Sequence, residues 1–208
     1  PVKSVPVKCI TVANQTGMFL VGRTLIPTHN STLASTAPRP ILLLDAEHGH
    51  KFLPGTLKMW DPMTENPPEC DGSWDICVVV VDDPDIVLHA LKWLQSGQHC
   101  FKSVVMDSIS EVQNLVIQQF SKSDKPMTQQ EWGRLLSVIG DIMRSFRNLT
   151  VHPTNPLTAV VLTAMTTHKD NKWQPFLRGQ AQSLPAYLFD IAGYLNVEGY
   201  PHPDPSQG

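Results

Sequence analysis

Runs of unbroken aliphatic residues constrain this chain more than any other feature. They are Ile41-Leu42-Leu43-Leu44, Ile76-Cys77-Val78-Val79-Val80-Val81, Ser103-Val104-Val105-Met106 and Ala159-Val160-Val161-Leu162. A strand that is apolar at consecutive positions must be buried on both faces, as in a parallel sheet covered by helices. Helical stretches separate these runs. The clearest covers residues 129–148, where Leu135, Leu136, Ile139, Ile142, Met143, Phe146 and Leu149 keep the helical period. Arg134, Asp141, Arg144 and Arg147 form its polar face. A second helix is expected over 84–95, with Asp82 or Asp83 as cap and Pro84 in its first turn. A third is expected over 110–120. Residues 54–75, rich in Pro, Asp, Glu and Gly, read as an irregular loop. Strand–helix alternation makes the chain from residue 31 onward an α/β domain.

Composition narrows the function classes. The 208 residues are 41% hydrophobic and 17% charged with a net charge of −3, which is globular and argues against a wholly basic nucleic-acid coat. No apolar run reaches the roughly 18 residues a membrane helix needs, so no membrane partner is expected. The start lacks both Met and an apolar segment, so it reads as the interior of a longer chain and not as a signal peptide. Cys9, Cys70, Cys77 and Cys100 contain no CxxC pair, which favours neither a disulfide framework nor a zinc site. A reduced cytoplasm is the expected compartment. His48 and His50 read as surface residues.

The grammar changes near residue 30. Before it the chain reads as short strands, with Asn14-Gln15-Thr16-Gly17 as a turn. The segment ends in Thr28-His29-Asn30-Ser31, whose chemistry is specific. An Asn amide can attack its own carbonyl carbon and cleave the following peptide bond, an adjacent imidazole can supply the proton, and Ser31 offers an acyl-accepting hydroxyl. Together with Val7-Lys8-Cys9-Ile10-Thr11-Val12 and Phe19-Leu20-Val21-Gly22, this stretch resembles the C-terminal splicing blocks of inteins. Most inteins carry Asp where Cys9 stands, and Cys9 with Thr28 resembles the third, phage-associated intein class. That resemblance implies Cys9 as first nucleophile, Thr28 as its support, His29 as proton source, Asn30 as the cyclising residue and Ser31 as final acceptor. The alternative for Cys9 is a small buried apolar side chain. The partner implied is the missing N-terminal portion of intein and extein.

Beyond the junction, Ser31-Thr32-Leu33-Ala34-Ser35 looks like the end of a phosphate-binding loop, where a hydroxyl holds Mg²⁺. The bland alternative is a helix cap. Ile41 to His48 sets acids at the end of a strand, and parallel α/β sheets place their sites there. The run resembles the second strand of RecA-like ATPases, which implies that Glu47 polarises the attacking water. Val104-Val105-Met106-Asp107-Ser108 follows the Walker B pattern, with Asp107 on the Mg²⁺ shell. The strand Ala159 to Thr163 leads to His168 where such proteins sense the γ-phosphate, and Thr163 and His168 read equally as ordinary loop residues. Trp173 to Gly179 resembles the distal part of phage RecA-like ATPases, often described as AAA-domain proteins, which implies Arg178 as a nucleotide-binding residue. The resemblance implies a RecA-like P-loop ATPase core, ATP and Mg²⁺, a homo-oligomer after splicing, and single-stranded DNA as partner in recombination or replication. The expected organisation is an intein segment at 1–30, an ATPase domain at 31–200 and a tail at 201–208. A nucleotide switch, a packaging component and a binding module with purely structural strand-end acids are the alternatives.

Overall fold

The computed structural model describes residues 19–21, 26–28, 35–121, 126–169 and 172–193. Near the start, β1 (Phe19–Val21) and β2 (Ile26–Thr28) pair antiparallel, with Phe19 opposite Thr28. The aliphatic runs then form a five-stranded sheet in the order β4-β5-β3-β6-β7, parallel throughout. Its strands are β3 (Ile41–Asp45), β4 (Leu57–Met59), β5 (Ile76–Val80), β6 (Ser103–Asp107) and β7 (Ala159–Leu162). Strand β3 is central, flanked by β5 and β6, and every one of its residues is buried.

The two faces divide by alternation. Leu42 and Leu44, Cys77 and Val79, and Val104 and Met106 join the large core. Three helices supply its other half: α1 (Pro84–Ser96), α2 (Ile109–Phe120) and α3 (Gln129–Asn148). On the reverse face Ile41, Leu43, Ile76, Val78 and Val105 form a smaller cluster with Ala37, Leu53 and Val161 against it. Burial on both faces is why these strands carry no polar alternation.

Each of the three long helices starts behind a side-chain cap. Asp83 accepts from the Asp85 N–H and Pro84 follows it, which chooses Asp83 over Asp82 as the cap of α1. Ser108 caps α2, and Thr128 with Glu131 forms a complete capping box on α3. Past β7, β8 (Thr166–Lys169) and β9 (Lys172–Pro175) form an antiparallel hairpin, and the short α4 (Leu184–Leu188) packs against α3.

Several expectations need correction. Residues 54–75 are not wholly irregular, because Leu57–Met59 pairs parallel with Ile76–Val78 as an edge strand. Three exposed residues with a lysine in the middle carry no burial pattern, so only the pairing reveals the strand. Cys70 and Cys100 are joined by a disulfide, with Cα atoms 6.0 Å apart. Their separation of 30 positions hid that proximity, since β5 and α1 fold out and return the chain to its start. His168, for which an ordinary loop position was the alternative reading, lies in β8.

Candidate active site

The carboxyl ends of β3 and β6 lie side by side, with Asp45 in register with Asp107. The Ala46 N–H donates to the Asp107 carbonyl at 2.7 Å and the Val81 N–H to the Asp45 carbonyl at 2.9 Å, which fixes the backbone where the strands end. Asp107 is buried, and its carboxylate accepts a hydrogen bond from the Thr163 hydroxyl. Thr163 is held there by its own backbone: its N–H donates to Met106 O at 3.0 Å, and its carbonyl accepts from Ile109 N at 2.9 Å.

Ser108 links the two acids. As the first cap of α2 it accepts from the Glu111 N–H at 3.3 Å, and its hydroxyl donates to Glu47 Oε1. Glu47 is therefore brought from the end of β3 to the edge of the Asp107 site. The signal for Ser108 was legible, because Ser-x-x-Glu ahead of an apolar run marks a helix start. Its bond to a residue 61 positions away was not.

Asp45 and His50 correct the reading of His50 as a surface residue. The Asp45 carboxylate is fully buried and accepts from Gly49 N at 3.0 Å, His50 N at 2.9 Å and His50 Nδ1 at 2.5 Å. Burying a carboxylate without such donors costs several kcal/mol, on the order of the penalty for an unpaired buried ion. With its acceptors engaged in this way, Asp45 ties the loop 45–50 back to the end of β3.

The remaining predicted residues separate. Thr163 joins Asp107. Arg178 is exposed and is held through its backbone: its N–H donates to Gln113 Oε1 at 2.6 Å, and its carbonyl accepts from Gln113 Nε2 at 3.3 Å. His168 is exposed on the hairpin, its ring 4.7 Å from that of Trp173. Thr28 ends β2, while Cys9, His29, Asn30, Ser31 and Thr32 lie outside the described residues. Two buried polar residues of α2 escaped the sequence reading. Ser110 donates to the Phe176 carbonyl and accepts from the Met165 N–H, and Gln113 clamps Arg178, so α2 ties the hairpin's flanks to the Asp107 site.

The site presents carboxylate and hydroxyl oxygens, a donor set that suits a hard cation such as Mg²⁺ and not a thiophilic metal. Among the described residues no group of three His, Cys, Asp or Glu could hold a metal by itself. The buried Cys77 is chemically quiet, because desolvation pushes its thiol up to about 12.

Among the described residues no helix is long and apolar enough to cross a membrane. A segment of 32 residues, 15% of this chain, is 56% identical to the replicative DNA helicase DnaB of Mycobacterium leprae (strain TN). The chain spans only 5% of that protein's length. The AAA domain family matches far more of the chain, residues 30–205, and so takes in the parallel sheet, all the long helices and the acids at the strand ends. A match of that extent, on a sheet whose carboxyl edge carries Glu47, Asp107 and Ser108, makes the chain a member of the AAA domain family of P-loop ATPases.

Proposed function

We propose that the domain from residue 31 hydrolyses ATP with Mg²⁺ in the service of DNA recombination or replication, and that residues 1–30 are the C-terminal splicing segment of an intein interrupting its phosphate loop. The observation that carries the ATPase reading is the pairing of Glu47 with Ser108 beside the buried Asp107. Mg²⁺, when bound, would neutralise developing charge on the phosphates. Asp107 would hold its hydrated shell, and Ser31, freed by splicing to follow a Gly-Lys, would be a further ligand. Glu47 would orient the attacking water. Ser31 and Thr32 would complete the phosphate loop, with Thr163 fixing the Asp107 rotamer.

The hairpin supports a single-stranded nucleic acid as partner. Trp173 and Phe176 are 53% and 41% exposed, and Lys172 and Arg178 are exposed on the same segment. Aromatic faces beside cations stack bases and attract phosphates without sequence preference. In the intein segment Cys9, Thr28, His29, Asn30 and Ser31 would act in the order that their resemblance implies. A phage origin, action in the host cytoplasm and a homo-oligomer after splicing belong to the same proposal.

The test is hydrolysis by the protein with its phosphate loop complete, measured with and without single-stranded DNA. Turnover that requires Mg²⁺ and disappears in Asp107→Asn is expected. Normal turnover in both Asp107→Asn and Glu47→Gln would overturn the assignment. For splicing, mass spectrometry should find ligated product when the chain is joined to, or mixed with, its N-terminal intein and extein portion, and none from Cys9→Ala or Asn30→Ala; ligation by Cys9→Ala would exclude the third-class route.

A further inference from the structure

We infer that Asp45 and His50 form a positioning pair that closes the loop 45–50 and holds Glu47 over Ser108. The inference rests on the reading of Glu47 as the residue that orients the attacking water. Asp45 ends the central strand, with its backbone fixed by Val81 on one side. The adjacent Ala46 N–H is bound to Asp107 O on the other. From that anchor the chain must lift Glu47 to the site and return. His48 makes the turn with φ of 56°, a left-handed conformation uncommon outside glycine. Gly49 and His50 then open a short 3-10 turn, Gly49–Phe52.

The pair closes this excursion. Asp45 Oδ1 accepts from Gly49 N, and Oδ2 accepts from both His50 N and His50 Nδ1. The first two bonds come from backbone and are available to almost any residue at position 50. The third requires a donor placed where Nδ1 lies. The His50 side chain is only 12% exposed, so its ring is packed and not swinging in solvent. Among the described residues nothing hydrogen-bonds its Nε2. The His50 contact therefore runs through Nδ1 to the strand end and not toward the Asp107 site. Such a buried, satisfied carboxylate fixes loop geometry sharply, because any opening leaves Asp45 unpaired in the core.

Asparagine separates positioning from direct chemistry. Its Nδ2 lies the same number of bonds from Cβ as the His Nδ1, so it can donate to Asp45 while offering nothing where Nε2 stood. The experiment uses the full-length protein with a complete phosphate loop, as His50→Ala and His50→Asn, alone and combined with Glu47→Gln. His50→Ala should lower kcat by about tenfold to a hundredfold with ATP affinity within about twofold, the signature of a displaced catalytic group. His50→Asn should recover to within about threefold of the natural protein, and His50→Ala should cost nothing further once Glu47 is Gln, because effects through a shared residue are not additive. Cleavage by trypsin after the exposed Lys51 reads the loop whether or not ATP is hydrolysed. It should quicken about fivefold or more in His50→Ala and return in His50→Asn, as local opening exposes the backbone.

Equal losses in Ala and Asn would mean that Nε2 acts on the substrate directly, which overturns the positioning role. Unchanged cleavage and turnover in His50→Ala overturns it as well. If the natural protein hydrolyses no ATP, the reading of Glu47 fails, while the cleavage rates still decide whether the pair holds the loop.

Discussion

The two ends of the parallel sheet are built by different chemistry. At the carboxyl end, Asp45, Asp107, Ser108 and Thr163 bring polar atoms to the rim of the core, each held by a specific hydrogen bond. At the opposite end, Phe101 leads into β6 and packs against Trp60, Trp74 and His99 at centroid distances of 6.1, 6.0 and 5.8 Å. The Cys70–Cys100 bridge and the Arg39–Asp75 pair at 2.7 Å lie at that end too. One end concentrates groups that can act on a ligand, and the other concentrates apolar area and a covalent tie. The lesson is a division of labour along the same strands: damage at one end should appear in turnover, and damage at the other in stability.

The sharpest way to test that division is Glu47→Gln. Turnover should fall by about 10²–10⁴-fold if Glu47 handles the attacking water, with the thermal midpoint unchanged. A fall in the midpoint that matches the loss of activity would break the comparison. Next is Phe101→Ala at the other end. Removing a fully buried aromatic should cost about 3–5 kcal/mol in denaturant unfolding, while kcat per folded molecule stays constant.

Reduction of Cys70–Cys100 is expected to lower stability by about 2–4 kcal/mol, the usual range for opening a loop of this size. The comparison is unfolding with and without dithiothreitol, against a Cys70→Ser, Cys100→Ser control that should not respond. Cys77 should resist iodoacetamide until the protein unfolds, because burial suppresses its thiolate. The smallest effect belongs to neither end. Thr128→Ala removes the capping box of α3 and should cost about 1 kcal/mol. The Thr128 backbone N–H holds Glu131 below the usual carboxylate range, so the support from Glu131 is present above that range. It fades as pH falls through the lowered value, and Glu131→Gln, which has no carboxylate to titrate, should lose that part of the acid dependence.

The two ends also differed in how far they could be read. Helix 129–148 was legible to the residue, because its apolar period and its capping box are local. The strands β3, β5, β6 and β7 were legible because burial on both faces leaves an unbroken aliphatic run. Asp107 and Glu47 stood out as acids terminating such runs. Strand β4 was hidden, since Leu57, Lys58 and Met59 are all exposed and form a strand only beside β5. His50 was misread because nothing in its neighbours distinguishes a surface imidazole from one aimed back at a strand end.

The sequence by itself determined the class of fold and the positions of the acids, since hydrophobic period, caps and strand ends are properties of adjacent residues. Only the tertiary structure decided which of those acids is engaged and with what. Asp45 is occupied by His50, while Glu47 meets Ser108 and Asp107 meets Thr163 across 61 and 56 positions of chain. The reason is physical. A strand's apolar pattern records that it is buried, but the identity of its neighbour, and so the partner of each polar group at its end, is fixed only when the sheet chooses its order.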